Sequence, residues 1–251
     1  MNTPVKIALA LWVPLLIVTS WQAGVQARAI DPLFFPAPTM LVDTAAKMIR
    51  SGEMAMHLQA TFGRLLIGFS IGSLAGIGCG VLMGVAPLLR RSFEPMVTAL
   101  YSTPKLSLLP MVMLVFGVTD TARILIIAAT CFVLTSIHAI DAVRAVDRRY
   151  VDLASNYGAS RAMLFRKVYL PSSLPQLFTG LRLALGRSLV TAISVEIVSS
   201  KNGLGSIIWL AWQTFSIERL YVGVILAASV GALLHLGLKQ LENRWIPWKA
   251  E

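Results

Sequence analysis

The chain has 251 residues, of which 56% are hydrophobic and only 14% charged, and its mean hydropathy is +0.72. So little polar surface cannot cover a water-soluble globule, which excludes a soluble domain and makes the bilayer the expected solvent. The net charge of +10 is scattered through the breaks between apolar runs, so it reads as membrane topology and not as a nucleic-acid footprint.

Several apolar runs approach 20 residues and none alternates with period two, so the fold class predicted is an all-α polytopic membrane protein with about six transmembrane helices. The first predicted span is 5–24. Lys6, the apolar run behind it and Ala27-Arg28-Ala29 also imitate a secretory signal cut after Ala29. The span is read as retained, because its core is near spanning length and carries Trp12 and Trp21 as interface anchors; a mature start at Ile30 is the competing expectation.

An outside segment follows, extended at Pro32, Pro36 and Pro38. Thr39 is expected to cap a helix running to Arg50, with Leu41, Ala45, Met48 and Ile49 on one face that packs at the membrane interface. The second span, 63–86, carries Gly68, Gly72, Gly76, Gly80 and Gly84 at four-residue spacing, a stripe that lets another helix approach closely, with a neighbour in the same chain preferred over a second copy. Within it Gly68-Phe69-Ser70-Ile71-Gly72 matches the G-x-S-x-G nucleophile motif, but that motif needs a strand-to-helix elbow, so an intramembrane serine hydrolase using His235 is only a remote alternative.

The third span, 96–118, is interrupted by Pro95, Pro104 and Pro110 and is expected to be kinked or broken. Lys105, beside Pro104, is a candidate for the translocation path, with snorkelling to the cytoplasmic interface as its plainer reading. The fourth span is 122–140. Cys79 and Cys131 sit inside apolar runs as small hydrophobes, and His57, His138 and His235 are isolated, so no catalytic set, metal site or disulfide is expected.

Between 141 and 175 the charges are too many for hydrocarbon, yet apolar residues keep helical spacing. Tyr150, Val151, Ala154 and Tyr157 are predicted to form one face of a short helix and Met163, Leu164 and Val168 another, with Gly158 as the turn and Leu170-Pro171 as the stop. The fifth span, 176–198, holds Arg182 and Arg187, expected to snorkel or cap carbonyls. It also holds Glu196, a candidate for the path or outer gate, with a structural polar contact as the other reading. Nine positions separate Arg187 from Glu196, which places them on nearly opposite faces and argues against a pair. The sixth span is 220–238. With the N-terminus inside, Lys6, Arg90, Arg91, Arg144, Arg148, Arg149, Arg161, Arg166, Lys167, Lys239, Arg244 and Lys249 lie on the cytoplasmic side. That outweighs Arg28, Lys47, Arg50, Arg64, Arg123, Lys201 and Arg219 outside, so both termini are expected in the cytoplasm.

Asp152, Ala154, Gly158, Val168, Leu170 and Pro171 stand in the register E-A-A, three residues, G, nine residues, I, one residue, L-P, with Asp for Glu, Val for Ile and Leu153 departing from the second Ala. The arrangement resembles the EAA loop of binding-protein-dependent ABC importer permeases. The likeness extends from about His57 to Leu241, and it is similar to the nitrate, sulfonate and taurine branch in Thr103-Pro104-Lys105, Leu109-Pro110, Phe116-Gly117, the run 180–187 and Asn202-Gly203-Leu204-Gly205.

The resemblance implies a type I ABC importer (MetI-like) permease architecture: a segment 1–56, a core 57–245 with a coupling loop 147–175, and a tail 246–251. It further implies a homodimer with a second permease copy in the lipid of the bacterial cytoplasmic (inner) membrane, two cytoplasmic ABC ATPase subunits and an external solute-binding protein. The loop residues would form the docking element for the ATPase, and the solute would be a small anion of the sulfonate, taurine or nitrate type. None of the seven lysines follows a glycine, so the chain has no P-loop; it is expected to bind no cofactor and to leave ATP and Mg to its partner. The alternative from another class is an ion-coupled secondary transporter, which would carry more titratable groups at mid-membrane.

Overall fold

A computed structural model describes residues 3–248, with side chains from Trp12 onward. Lys249 and the end of the expected tail 246–251 lie outside the described residues, as does the side chain of Lys6. No strand occurs among the described residues. The helices are α1 (Thr3–Gln26), α2 (Pro38–Arg50), α3 (Glu53–Val85), α4 (Pro87–Ser102), α5 (Leu109–Phe116), α6 (Asp120–Arg144), α7 (Arg148–Asn156), α8 (Arg161–Leu164), α9 (Leu170–Ser199), α10 (Leu204–Gln213) and α11 (Ile217–Trp245).

Three of these, α3, α6 and α11, are long and apolar enough to cross a membrane, and α4 with the segment Lys105–Phe116 makes a fourth candidate that is bent by 91°. The remaining expected spans fall on α1 and on α9, whose apolar stretch is diluted by Arg182, Arg187 and Glu196. The third span is broken, and one proline places the break. Pro95 rides inside α4 and Pro110 sits in the first turn of α5, where the missing N–H costs nothing, whereas Pro104 follows the end of α4 at Thr103.

The centre of the molecule is the pair α3 and α6, with α9 against α6 and with α10, α11 and α2 closing one end. A Cβ on any of the five stripe glycines would strike α6: Gly68 meets Ile127 at 2.7 Å, Gly84 meets Val143 at 2.7 Å, and Gly72, Gly76 and Gly80 meet Cys131, Thr135 and Ala139 together with the backbone carbonyls of Ala128, Phe132 and Ser136. The close neighbour is therefore in the same chain.

Two local expectations are corrected. Helix α2 begins at Pro38 with Ala37 as its cap residue, so Thr39 lies inside the helix; its N–H is satisfied by Gln22 Oε1 of α1 at 3.2 Å. Leu41 and Met48 of α2 are buried in a cluster with Leu204, Ile207 and Val222, and Ala45 packs on it, but Ile49 is 62% exposed and leaves the predicted face. Helix α2 thus packs against α10 and α11 through buried side chains.

The second correction concerns Leu170-Pro171, which stops nothing. The chain stays helical from α8 through a π turn (Phe165–Tyr169) into α9, with Pro171 in its first turn and Pro175 inside it. The wide turn is the physical reason: Leu170 N–H donates to Phe165 O, five residues back, which opens the ladder where the proline ring would otherwise meet a carbonyl. Helix α10, a short apolar element between α9 and α11, was not among the predicted elements.

Candidate functional site

At the Ser199 end of α9 a buried polar network joins four helices. Glu196 is 1% exposed; its carboxylate accepts from the Thr61 hydroxyl at 2.9 Å, from Arg64 Nη1 at 2.8 Å and from Gly205 N–H at 3.1 Å. Arg64 also donates to Asn202 O at 2.6 Å and, through Nε, to Asp120 Oδ1 at 2.8 Å. Arg123 Nη1 donates to the same Asp120 oxygen at 2.7 Å, and its Nη2 to Ser199 O. Two cations thus face two anions, and Thr61 is itself used twice, because its oxygen also accepts from Leu204 N–H at 2.8 Å. Glu196 thus makes a buried structural contact, the second of the two readings given for it.

The two glycines of Asn202-Gly203-Leu204-Gly205 make this closeness possible. Gly203 has φ +129°, a value L side chains avoid, and a Cβ on it would run into the Glu196 carboxylate, while one on Gly205 would meet the Ile193 carbonyl. Gly203→Ala is therefore expected to destabilise the protein by about 1–3 kcal/mol, seen as a lower unfolding temperature in detergent, whereas Gly78→Ala, with nothing within 4 Å, stays near wild type.

A second site lies where the third span breaks. A cavity of about 370 Å³ is lined by residues 101–106 and by Thr130, Leu134, Arg187, Val190, Thr191 and Ser194. Positions 187, 190, 191 and 194 are one face of α9. Arg187 sits 17 residues past Leu170, about 25 Å along the helix. It is therefore central in α9 and faces the cavity, which corrects the expectation of snorkelling. Lys105 Nζ donates to Tyr101 O at 2.7 Å and lies 5.5 Å from the centre of that ring. Arg182 pairs with the buried Glu242 of α11 at 2.6 Å.

The third feature is the loop. Helix α7 is capped by Asp147, whose carboxylate accepts Arg149 N–H at 2.9 Å, and α8 by Ser160, which accepts Met163 N–H at 3.3 Å. Gly158, at φ +81°, closes α7: its N–H donates to Ser155 O at 2.9 Å and Ala159 N–H to Ala154 O at 3.0 Å, a Schellman turn. Asp152 is exposed and Ala154 half-buried. Val168 is half-buried in the π turn, beside Leu170 and Pro171 at the start of α9. The predicted face of Tyr150, Val151, Ala154 and Tyr157 is only partly covered. Tyr150, Leu153 and Tyr157 stand out as an exposed apolar stripe, Tyr157 at 85%.

Residues 68–246 match the family of binding-protein-dependent transport system inner membrane components. The chain belongs to that family. The permease is 32% identical to the putative aliphatic sulfonates transport permease protein SsuC of Escherichia coli (strain K12), over 99% of this chain and 96% of that protein. It is 28% identical to the taurine transport system permease protein TauC of the same organism, over 98% and 91%. Among solved structures, an inward-facing MetNI methionine ABC transporter superposes with a TM-score of 0.66 at 18% identity, covering 74% of this chain and 92% of that one.

Family and fold make the permease the membrane subunit of an ATP-driven importer in the inner membrane. It is not an enzyme; ATP hydrolysis belongs to a partner ATPase, and an external solute-binding protein is the other partner. That sets aside the ion-coupled carrier and the hydrolase; Ser70 is on an exposed face in the middle of α3, with no elbow near it. Sequence reasoning missed Arg64, Asp120 and Arg123 as a network and Arg187 as a cavity residue. The periodicity of Arg187, Thr191 and Ser194 was the one signal available for the second.

Proposed function

We propose that two copies of the permease form a homodimer in the lipid bilayer of a bacterial cytoplasmic membrane, with both termini inside, and pass a small sulfonate-type anion from the external binding protein along a path between the copies. The core 57–245 carries the path, and the segments 1–56 and 246–251 flank it. The permease itself holds no cofactor; ATP and Mg are used by the ATPase. The observation that carries the substrate class is a cavity at the break of the third span whose two charged lining residues, Lys105 and Arg187, are both cations, in a chain similar over nearly its full length to permeases named for sulfonates and taurine.

The loop 147–175 is the handle. Its exposed stripe of Tyr150, Leu153 and Tyr157 supplies the apolar anchors a groove on the ATPase would take. Asp152, Ala154 and Gly158 shape the first helix and its turn, and the unbroken helical path from Arg161 through Val168, Leu170 and Pro171 into α9 carries movement of the loop to Arg187 and Glu196.

In a strain lacking its own sulfonate importers, the permease with its ATPase and binding protein is expected to restore growth on ethanesulfonate as sulfur source. Restored uptake of a neutral heterocycle but not of the sulfonate would reject the substrate class. For the handle, Gly158→Val is expected to lose the copurifying ATPase and at least about tenfold in uptake, because a β-branched residue resists the left-handed turn, whereas Gly158→Asn, which tolerates it, retains both. Equal behaviour of the two variants would reject the handle.

A further inference from the structure

Resting on the sulfonate reading, we propose that Lys105 and Arg187 form a charge-selective way station inside the permease, one that accepts solutes of net negative charge and disfavours zwitterionic aminosulfonates.

Ionisable groups inside a membrane protein ordinarily face a counter-charge. Arg64 and Arg123, both buried, face Glu196 and Asp120, and the half-buried Arg182 faces Glu242. Lys105, half-buried, and Arg187, exposed on the cavity wall, face no such counter-charge. They share one cavity, none of its lining residues is acidic, and among the described residues neither enters an ion pair. Lys105 is satisfied only in part, by the Tyr101 carbonyl and ring. Two like charges in a pocket bounded by apolar helices repel each other, and an anion between them removes that repulsion while gaining charge-assisted hydrogen bonds.

The hydroxyls sharpen the selectivity. Those of Thr191, Ser194 and Thr130 donate their single hydrogens to the carbonyls of Arg187, Val190 and Ile126, so toward the cavity they offer neutral oxygen lone pairs. Anion binding is left to the two cations, and an ammonium group would find hydroxyl oxygens but no carboxylate. A zwitterion brings no net charge and leaves the pocket as positive as before; an alkanesulfonate neutralises half of it. At about 370 Å³ the cavity has room for a short alkanesulfonate with several waters, a water's share of the liquid being about 30 Å³.

The test uses proteoliposomes containing permease and ATPase, driven by the external binding protein, with ethanesulfonate and taurine as probes and uptake per ATP hydrolysed as the readout. Arg187→Gln and Lys105→Gln are each expected to lower that ratio for ethanesulfonate about tenfold, the size of one charge-assisted contact, and to lower it less for taurine; Arg187→Lys is expected to keep most of it. Wild-type ratios for ethanesulfonate in both glutamine variants would overturn the station while leaving the sulfonate reading in place. Wild-type permease that moves a neutral heterocycle and neither sulfonate would overturn both. A loss in Arg187→Lys as deep as in Arg187→Gln would assign Arg187 a shape role and overturn charge selection. If Arg187→Gln no longer retains the ATPase, Lys105→Gln, on a half-exposed turn, decides the same comparison.

Discussion

Replacing Glu196 by alanine is expected to destabilise the permease by about 3–5 kcal/mol, the cost of breaking a buried ion pair by removing one partner. Arg64, only 7% exposed, would keep a single anion, Asp120, which is 58% exposed and already shared with Arg123. The Thr61 hydroxyl and Gly205 N–H would lose their acceptor in the same step. The measurement is thermal unfolding in detergent, followed by loss of the monodisperse species. Glu196→Gln should fall between alanine and wild type, because its amide oxygen still accepts while the charge is gone. The double variant Arg64→Met with Glu196→Met should recover part of the loss, since two buried charges leave together. A single Glu196→Ala variant that unfolds with the wild type would mean the network does not hold α3, α6, α9 and α10 together.

How far such features could be read in the sequence depended on how local their causes are. The glycine stripe, the broken third span and the turn at Gly158 are written in neighbouring residues, and the structure shows each of them. The partner of Glu196 is not local. Helical geometry separated it from Arg187, but nothing within nine residues could point to Arg64, 132 positions away. Helix α10 was invisible for another reason: ten apolar residues between two longer runs carry no periodicity of their own to separate them from a span. Pro171 misled because a proline after a helical pattern marks a stop only when the preceding turn is a regular one; here the π turn makes room for it. Arg187 stands near the middle both of the predicted span 176–198 and of α9; the cavity that it lines is closed by residues 101–106 of another segment, which nothing local to α9 can show.

Gly72→Leu is expected to abolish the assembled permease, and Gly72→Ala to cost about 1–3 kcal/mol, the usual penalty of overpacking a closely fitted contact. The reason lies in two matching stripes. Gly68, Gly72, Gly76, Gly80 and Gly84 of α3 face Ile127, Cys131, Thr135, Ala139 and Val143 of α6, so both helices contribute every fourth residue and run in the same direction. Ridges of that spacing interdigitate along the whole contact, and a repeat longer than the 3.6-residue turn keeps facing its partner only if the helices wind about each other. A Cβ at Gly72 would press on the Ala128 carbonyl, which belongs to a helix backbone and cannot turn aside as a side chain would. Gly78, on the open side of the same helix with nothing within 4 Å, separates this account from a general intolerance of α3: Gly78→Leu should assemble and unfold as the wild type does. The check is yield and monodispersity of membrane-inserted protein for each variant. Normal assembly of Gly72→Leu would show that α3 and α6 can part without loss, and the packing that sets Arg64 and Thr61 against Glu196 would then need another support.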